Sequence, residues 1–175
     1  MTTVTEVDAG GASMTITLVD GDYHMPPFDP NPKDTEKRVK AVPEFKCRPD
    51  DVTGMLEFPS DKEAEPSPRI LNSHLKPKYL PKAVFQEKRK AVLVLRNPKD
   101  VVVSYFFHAK GNAILNYEGT FENFLKMSME GRVEYNGKIG DWNNTFTDAQ
   151  KKMYEAFLAE KLDDCTLKFR YEYKK

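Results

Sequence analysis

Residues Lys90–Tyr105 read KAVLVLRNPKDVVVSY, and the organisation of the chain turns on this stretch. Its first part, Ala91–Leu95, is five apolar residues without alternation. Such a run suits a strand buried on both faces, as in a parallel sheet, because a sheet with one wet face would alternate. Arg96–Asp100 follows as turn chemistry, with Asp100 placed to cap a helix. That helix would open on Val101–Val103, which prefer strands when packing does not decide. A parallel strand feeding a helix puts backbone N–H groups and the positive end of the helix dipole at the strand's carboxyl end. Arg96 there offers a permanently charged fork for phosphate oxygens, and Ser104, one turn into the helix, a hydroxyl donor. Taken alone, the pattern leaves two readings open: an anion site, or an arginine and a serine with structural roles.

Working outward, Arg69–Asn72 is a short strand candidate ending at Ser73–His74. A histidine just past a strand suits a general base, since its pKa lies near neutrality, and equally suits a loop histidine satisfied by its neighbours. Lys78–Pro81 is turn-like, and Pro81–Lys90 predicts a short helix. Downstream, Thr120 caps a helix running to Gly131, with Phe121, Phe124, Leu125 and Met129 near one face. Thr147–Gln150 is a capping box opening a helix over 148–162, on which Ala149, Met153 and Phe157 recur at four-residue spacing beside Tyr154 and Leu158. Leu167, Phe169 and Tyr171 alternate with polar residues and predict a closing strand. Toward the N-terminus, Met14–Val19 reads as a short strand, and four prolines between His24 and Pro32 forbid a helix there. Residues 1–46 read as an extended N-terminal segment preceding one α/β domain over 47–175.

Composition narrows the function classes. The 27 basic residues balance the 27 acidic ones, which argues against a general nucleic-acid or membrane-surface binder. A local site for a small anion barely moves that total. With 175 residues the chain is long enough for one domain with a real core. No apolar run reaches membrane-spanning length, and the acidic N-terminus does not read as a signal peptide, so the expected location is the cytoplasm. Cys47 and Cys165 stand in no metal-ligand spacing and read as reduced thiols; no metal is expected.

Three stretches carry a family resemblance. SPRILNSHL (Ser67–Leu75) is similar to the segment that delivers the catalytic histidine of cytosolic sulfotransferases. Lys90–Tyr105 resembles their second nucleotide-binding signature almost position for position, and GKIGDWNNTFT (Gly137–Thr147) resembles their C-terminal glycine-rich motif. The resemblance covers about Cys47 to Tyr173 with gaps. It implies a parallel sheet flanked by helices, of the P-loop-NTPase-like kind. It implies 3′-phosphoadenosine 5′-phosphosulfate as sulfuryl donor and a small hydroxyl-bearing molecule as acceptor. His74 would take the acceptor's proton; Arg96, Ser104 and Gly137 would hold the nucleotide, Arg96 and Ser104 at its 3′-phosphate.

The chain departs from that family in three places. No segment matches the family's P-loop, of the form Tyr-Pro-Lys-Ser/Cys-Gly-Thr-Thr-Trp; Cys47–Val52, similar to the lead-in to it, runs directly into Thr53–Phe58, similar to a region well beyond. Past Tyr135 several helices and a strand are skipped, and the family's Arg-Lys pair before Gly137 is replaced by Tyr135–Asn136. Of the dimerisation motif only Thr147 remains, with Asn143, Asp148 and Lys152 in place of Lys, Val and Glu, which weakens the expectation of a family-type homodimer. These clean breaks point to a shortened relative with internal deletions near 52 and 135. They leave a working enzyme, a non-catalytic nucleotide binder or interaction protein, and an incompletely folded fragment as the readings to separate.

Overall fold

The structure is a computed structural model that describes residues 2–21, 23–25, 32–44, 71–133 and 142–166. The chain divides into two units: residues 1–4 with 15–93, and residues 5–14 with 94–175. Three strands, β1 (Thr2–Val7), β2 (Ser13–Val19) and β3 (Tyr23–Met25), form a sheet in the order β1-β2-β3. The β2–β3 pair is antiparallel, with Thr17 opposite Met25 and Val19 opposite Tyr23. Asp20 and Gly21, both at positive φ, turn the chain between them. The expected strand over 14–19 is therefore present. Its burial is not one-sided, however: Met14 and Ile16 are buried, and so are Thr17 and Val19 on the alternate positions.

In the first unit, α1 (Pro32–Ala41) follows the proline-rich stretch and runs into a 3₁₀ turn at Val42–Glu44. A second 3₁₀ turn at Pro77–Tyr79 precedes the short α2 (Lys82–Gln86), where a turn and a short helix were expected. Val19, Met25, Val39, Val42, Leu75 and Tyr79 make a common core. Tyr79 donates to Asp20 Oδ2 at 2.5 Å, and Lys40 reaches the other oxygen at 3.0 Å. These two hydrogen bonds hold the Asp20 carboxyl below its usual range, Tyr79 contributing most.

The second unit is helical. Its α3 (Pro98–Gly111) forms despite the valine run because Val102, Val103, Tyr105, Phe106 and Ala109 are buried. Burying each large apolar side chain is worth about 1.5–3 kcal/mol, against a few tenths for helix propensity. Thr120 caps α4 (Phe121–Met129), accepting from Asn123 N at 3.3 Å. Gly131, at positive φ, ends it in a Schellman motif, with Arg132 N on Met127 O and Gly131 N on Ser128 O. The expected inward residues Phe124 and Leu125 of α4 are fully buried, joined by Met127. The short α5 (Trp142–Thr145) leads to α6 (Asp148–Lys161), opened by the expected capping box of Thr147 and Gln150. The inward face of α6 differs from the expectation: Tyr154 is buried, whereas Ala149 and Met153 are exposed. Edge-to-face and tilted aromatic contacts connect these helices, Phe106 with Phe121 and Phe124, then Phe121–Phe146–Tyr154.

One expectation fails in the region that decided the fold. Ala91–Leu95 is not a strand: it pairs with none, Val92 is 90% exposed, and Leu93, Val94 and Leu95 are each more than half exposed. Correspondingly, no parallel sheet occurs among the described residues. A two-face-buried strand needs neighbours on both edges and layers on both faces, and among the described residues Ala91–Leu95 has neither. Of the other expected strands, 69–72 survives only as an isolated bridge at Asn72, with 69–70 outside the described residues, as is the closing strand at 167–171.

Candidate functional site

The first turn of α3 is built by an Asn-Pro pair. Asn97 is the cap, its Oδ1 accepting from Lys99 N at 3.0 Å, and Pro98 occupies the first helical position, where no N–H is needed. Asp100, the expected cap, instead sits within the first turn and is buried. Ser104, half-buried, stands seven residues after the cap; that is nearly two turns in rather than one, and on the cap's side of the helix.

At the mouth of this turn are donors with nothing to donate to. Among the described residues, Arg96 Nε and Nη2 and Asn97 Nδ2 are buried without a hydrogen-bond partner. Leaving buried donors unpaired costs about 1–3 kcal/mol each, and more for a charged group. A guanidinium, an amide NH₂ and a helix N-terminus together form a set of donors suited to phosphate oxygens. The chemistry available here is thus anion binding, and the residues present fit a phosphate group.

His74 is half-buried in the irregular stretch after Asn72, in the first unit, whereas Arg96 and Ser104 share α3's start in the second. Gly137 lies outside the described residues. Asn97 was not singled out from the sequence, although an Asn immediately before a Pro is a recognisable cap signal.

Behind the turn, its backbone and side chains are gripped from one side. Lys99, buried, pairs with Glu155 at 2.7 Å and lies 3.9 Å over the Trp142 ring; Lys151 lies 4.9 Å from the same ring. Asp100 Oδ1 accepts from Trp142 N at 3.4 Å, and the Tyr154 hydroxyl is 3.5 Å from Pro98 O. Burial pushes the Tyr154 phenol up to about 12, and the Lys99 contact holds the Glu155 carboxyl low.

Comparison with known proteins identifies the class of the chain that carries this turn. The sulfotransferase domain family matches residues 28–136, well over half of the chain, and the chain belongs to that family. It is 42% identical over 77 residues to sulfotransferase 1A1 of Mus musculus, covering 44% of this chain and 25% of that protein. Mouse sulfotransferase 1E1 is 33% identical over 101 residues, 58% of this chain and 32% of its own length. Human sulfotransferase 4A1 is 31% identical over 128 residues, 70% and 40% respectively. The chain therefore spans between a quarter and two fifths of the length of these relatives. No helix among the described residues is long and apolar enough to cross a membrane.

Proposed function

We propose that the chain binds the 3′-phosphate of 3′-phosphoadenosine 5′-phosphosulfate at Arg96, Asn97 and Ser104, as a cytoplasmic sulfotransferase-family protein. The unpaired buried donors of Arg96 and Asn97 carry this reading, because a phosphate would satisfy them. When bound, the donor supplies an activated sulfuryl group. In the enzymatic form of the proposal, His74 accepts the proton of a small acceptor's hydroxyl while the sulfuryl group moves to that oxygen. Gly137, in the glycine-rich motif, would contribute backbone contact to the nucleotide. No metal enters the scheme.

A second reading, nucleotide binding without catalysis, is favoured by the exposure of Ala91–Leu95 together with the missing P-loop sequence between Val52 and Thr53. Backbone donors around the phosphosulfate and a lysine on the leaving group are the dominant means of stabilising such a transfer, and no residue on α3 replaces them. In both readings residues 47–175 act as one sulfotransferase-like region, shortened near 52 and 135. A longer gene product with sequence inserted at those two points is its expected counterpart.

Transfer from the labelled donor to a panel of simple phenols and alcohols tests the function. Turnover by the parent and its loss in His74→Ala is the enzymatic outcome. Turnover equal in both removes His74 as base. Nucleotide binding with no turnover in either selects the second reading.

A further inference from the structure

Lys99 sits three residues after Arg96 in the proposed phosphate-binding turn, and by position alone it would be counted as a second cation for the anion. Its geometry says otherwise. The ammonium is buried against Glu155 at 2.7 Å and the Trp142 face at 3.9 Å, both on the α5–α6 side. The first three residues of α3 each have a partner there: Pro98 O the Tyr154 hydroxyl, Lys99 the Glu155 carboxylate, Asp100 the Trp142 backbone N–H. The Trp142 ring also has a second ammonium group near it, that of Lys151 at 4.9 Å.

We infer that Trp142, Tyr154 and Glu155 form a clamp that fixes the first turn of α3 and so aims Arg96, with Lys99 as a positioning residue rather than a phosphate ligand. The inference deepens the nucleotide-binding reading and rests on it for its ligand. The pair joins a buried ammonium to a half-exposed carboxylate, so it adds little net stability while holding Lys99 in one geometry. Because Glu155 is half exposed on α6, removing its charge leaves the fold in place while releasing Lys99. The clamp also accounts for the position of the WNNTFT segment, Trp142–Thr147: its Trp142 holds the helix whose start carries the arginine.

The test is a double-mutant cycle on the full chain with Lys99→Met, Glu155→Gln and both, read in two ways. Titration with adenosine 3′,5′-bisphosphate gives affinity, and amide hydrogen exchange gives the order of Lys99–Val103. A clamp predicts several-fold weaker binding in each single variant, no further loss in the double, and roughly tenfold faster exchange in α3's first turn with α4 unchanged. If Lys99→Met weakens binding far more than Glu155→Gln and flattens its salt dependence, Lys99 is a phosphate ligand and the inference falls. Unchanged exchange in both single variants also overturns it, whatever the affinities. Should the parent bind no nucleotide, the proposed function is lost, and the exchange arm alone decides the clamp.

Discussion

Tyr117 donates its hydroxyl to Asp8 Oδ2 at 2.6 Å in a buried contact, while Asp8 Oδ1 accepts from Gly10 N at 2.8 Å and Ala12 N at 3.0 Å. This group joins the β1–β2 turn to the α3–α4 connection within the second unit. Burial alone would raise the Asp8 pKa, but the donors, Tyr117 first among them, outweigh it and hold the carboxyl below the ordinary aspartate range. Burial, reinforced by Asp8, correspondingly pushes the Tyr117 phenol up. Tyr117→Phe removes one charge-assisted hydrogen bond and leaves the ring in place, at a cost of about 1.5–3 kcal/mol. For a chain of this size a loss of about 2 kcal/mol lowers Tm by about 4–8 °C. The pH dependence has a definite sign. A depressed folded-state pKa contributes stability that is present above the unfolded value, about pH 4, and is lost as pH falls through the lower folded value. The Tm gap between parent and Tyr117→Phe is therefore full at pH 7 and narrows progressively as pH falls below about 4 toward the lower folded-state value of Asp8. Thermal unfolding followed from pH 7 to pH 3 measures this. Equal Tm at pH 7, or a gap that persists undiminished in acid, would refute the assignment of Asp8 as the charged partner.

Two further predictions concern packing. A Cβ on Gly119 would lie 2.2 Å from the Tyr117 hydroxyl oxygen and 2.3 Å from Asp8 Oδ2, so Gly119→Ala should destabilise by at least about 1–3 kcal/mol, read as a drop in Tm. Part of that cost should disappear in the Tyr117→Phe background, and a Gly119→Ala protein with parental Tm would contradict the packing. Leu93→Lys tests the exposed run: with Leu93 open to solvent it should change stability by no more than about 0.5 kcal/mol, and should reduce concentration-dependent association seen by sedimentation. A loss of several kcal/mol would instead restore the buried-strand reading.

Helices were legible in the sequence where cap and core agreed. Thr120 with Phe124 and Leu125, and Thr147 with Gln150, each give a local start signal, and both elements formed as expected. For α3 the local and tertiary signals conflict, because Val101–Val103 prefer strands; burial of Val102 and Val103 decides in favour of the helix. Its cap falls at Asn97 rather than Asp100 because the two compete within four residues, and Pro98 settles which comes first. Ala91–Leu95 shows the limit most clearly. Its pattern reports the environment of a complete sheet, and a pattern cannot form a strand without neighbours to pair with. At the candidate site, Arg96 was legible as a charge next to a helix start. That its Nε and Nη2 are buried and unpaired, and that Lys99 turns toward Glu155 instead, depends on packing that no local pattern encodes.

Thermal unfolding of the parent and of Arg96→Met, with and without adenosine 3′,5′-bisphosphate, decides whether Arg96 and its neighbours form a phosphate site. At a ligand concentration about 100 times Kd, binding to the folded state adds about 2.7 kcal/mol. That raises the parent's Tm by about 5–10 °C, and Arg96→Met should show little or none of this shift. A parent that melts at the same temperature with and without the bisphosphate, or an Arg96→Met protein that shifts as far as the parent, would contradict such a site.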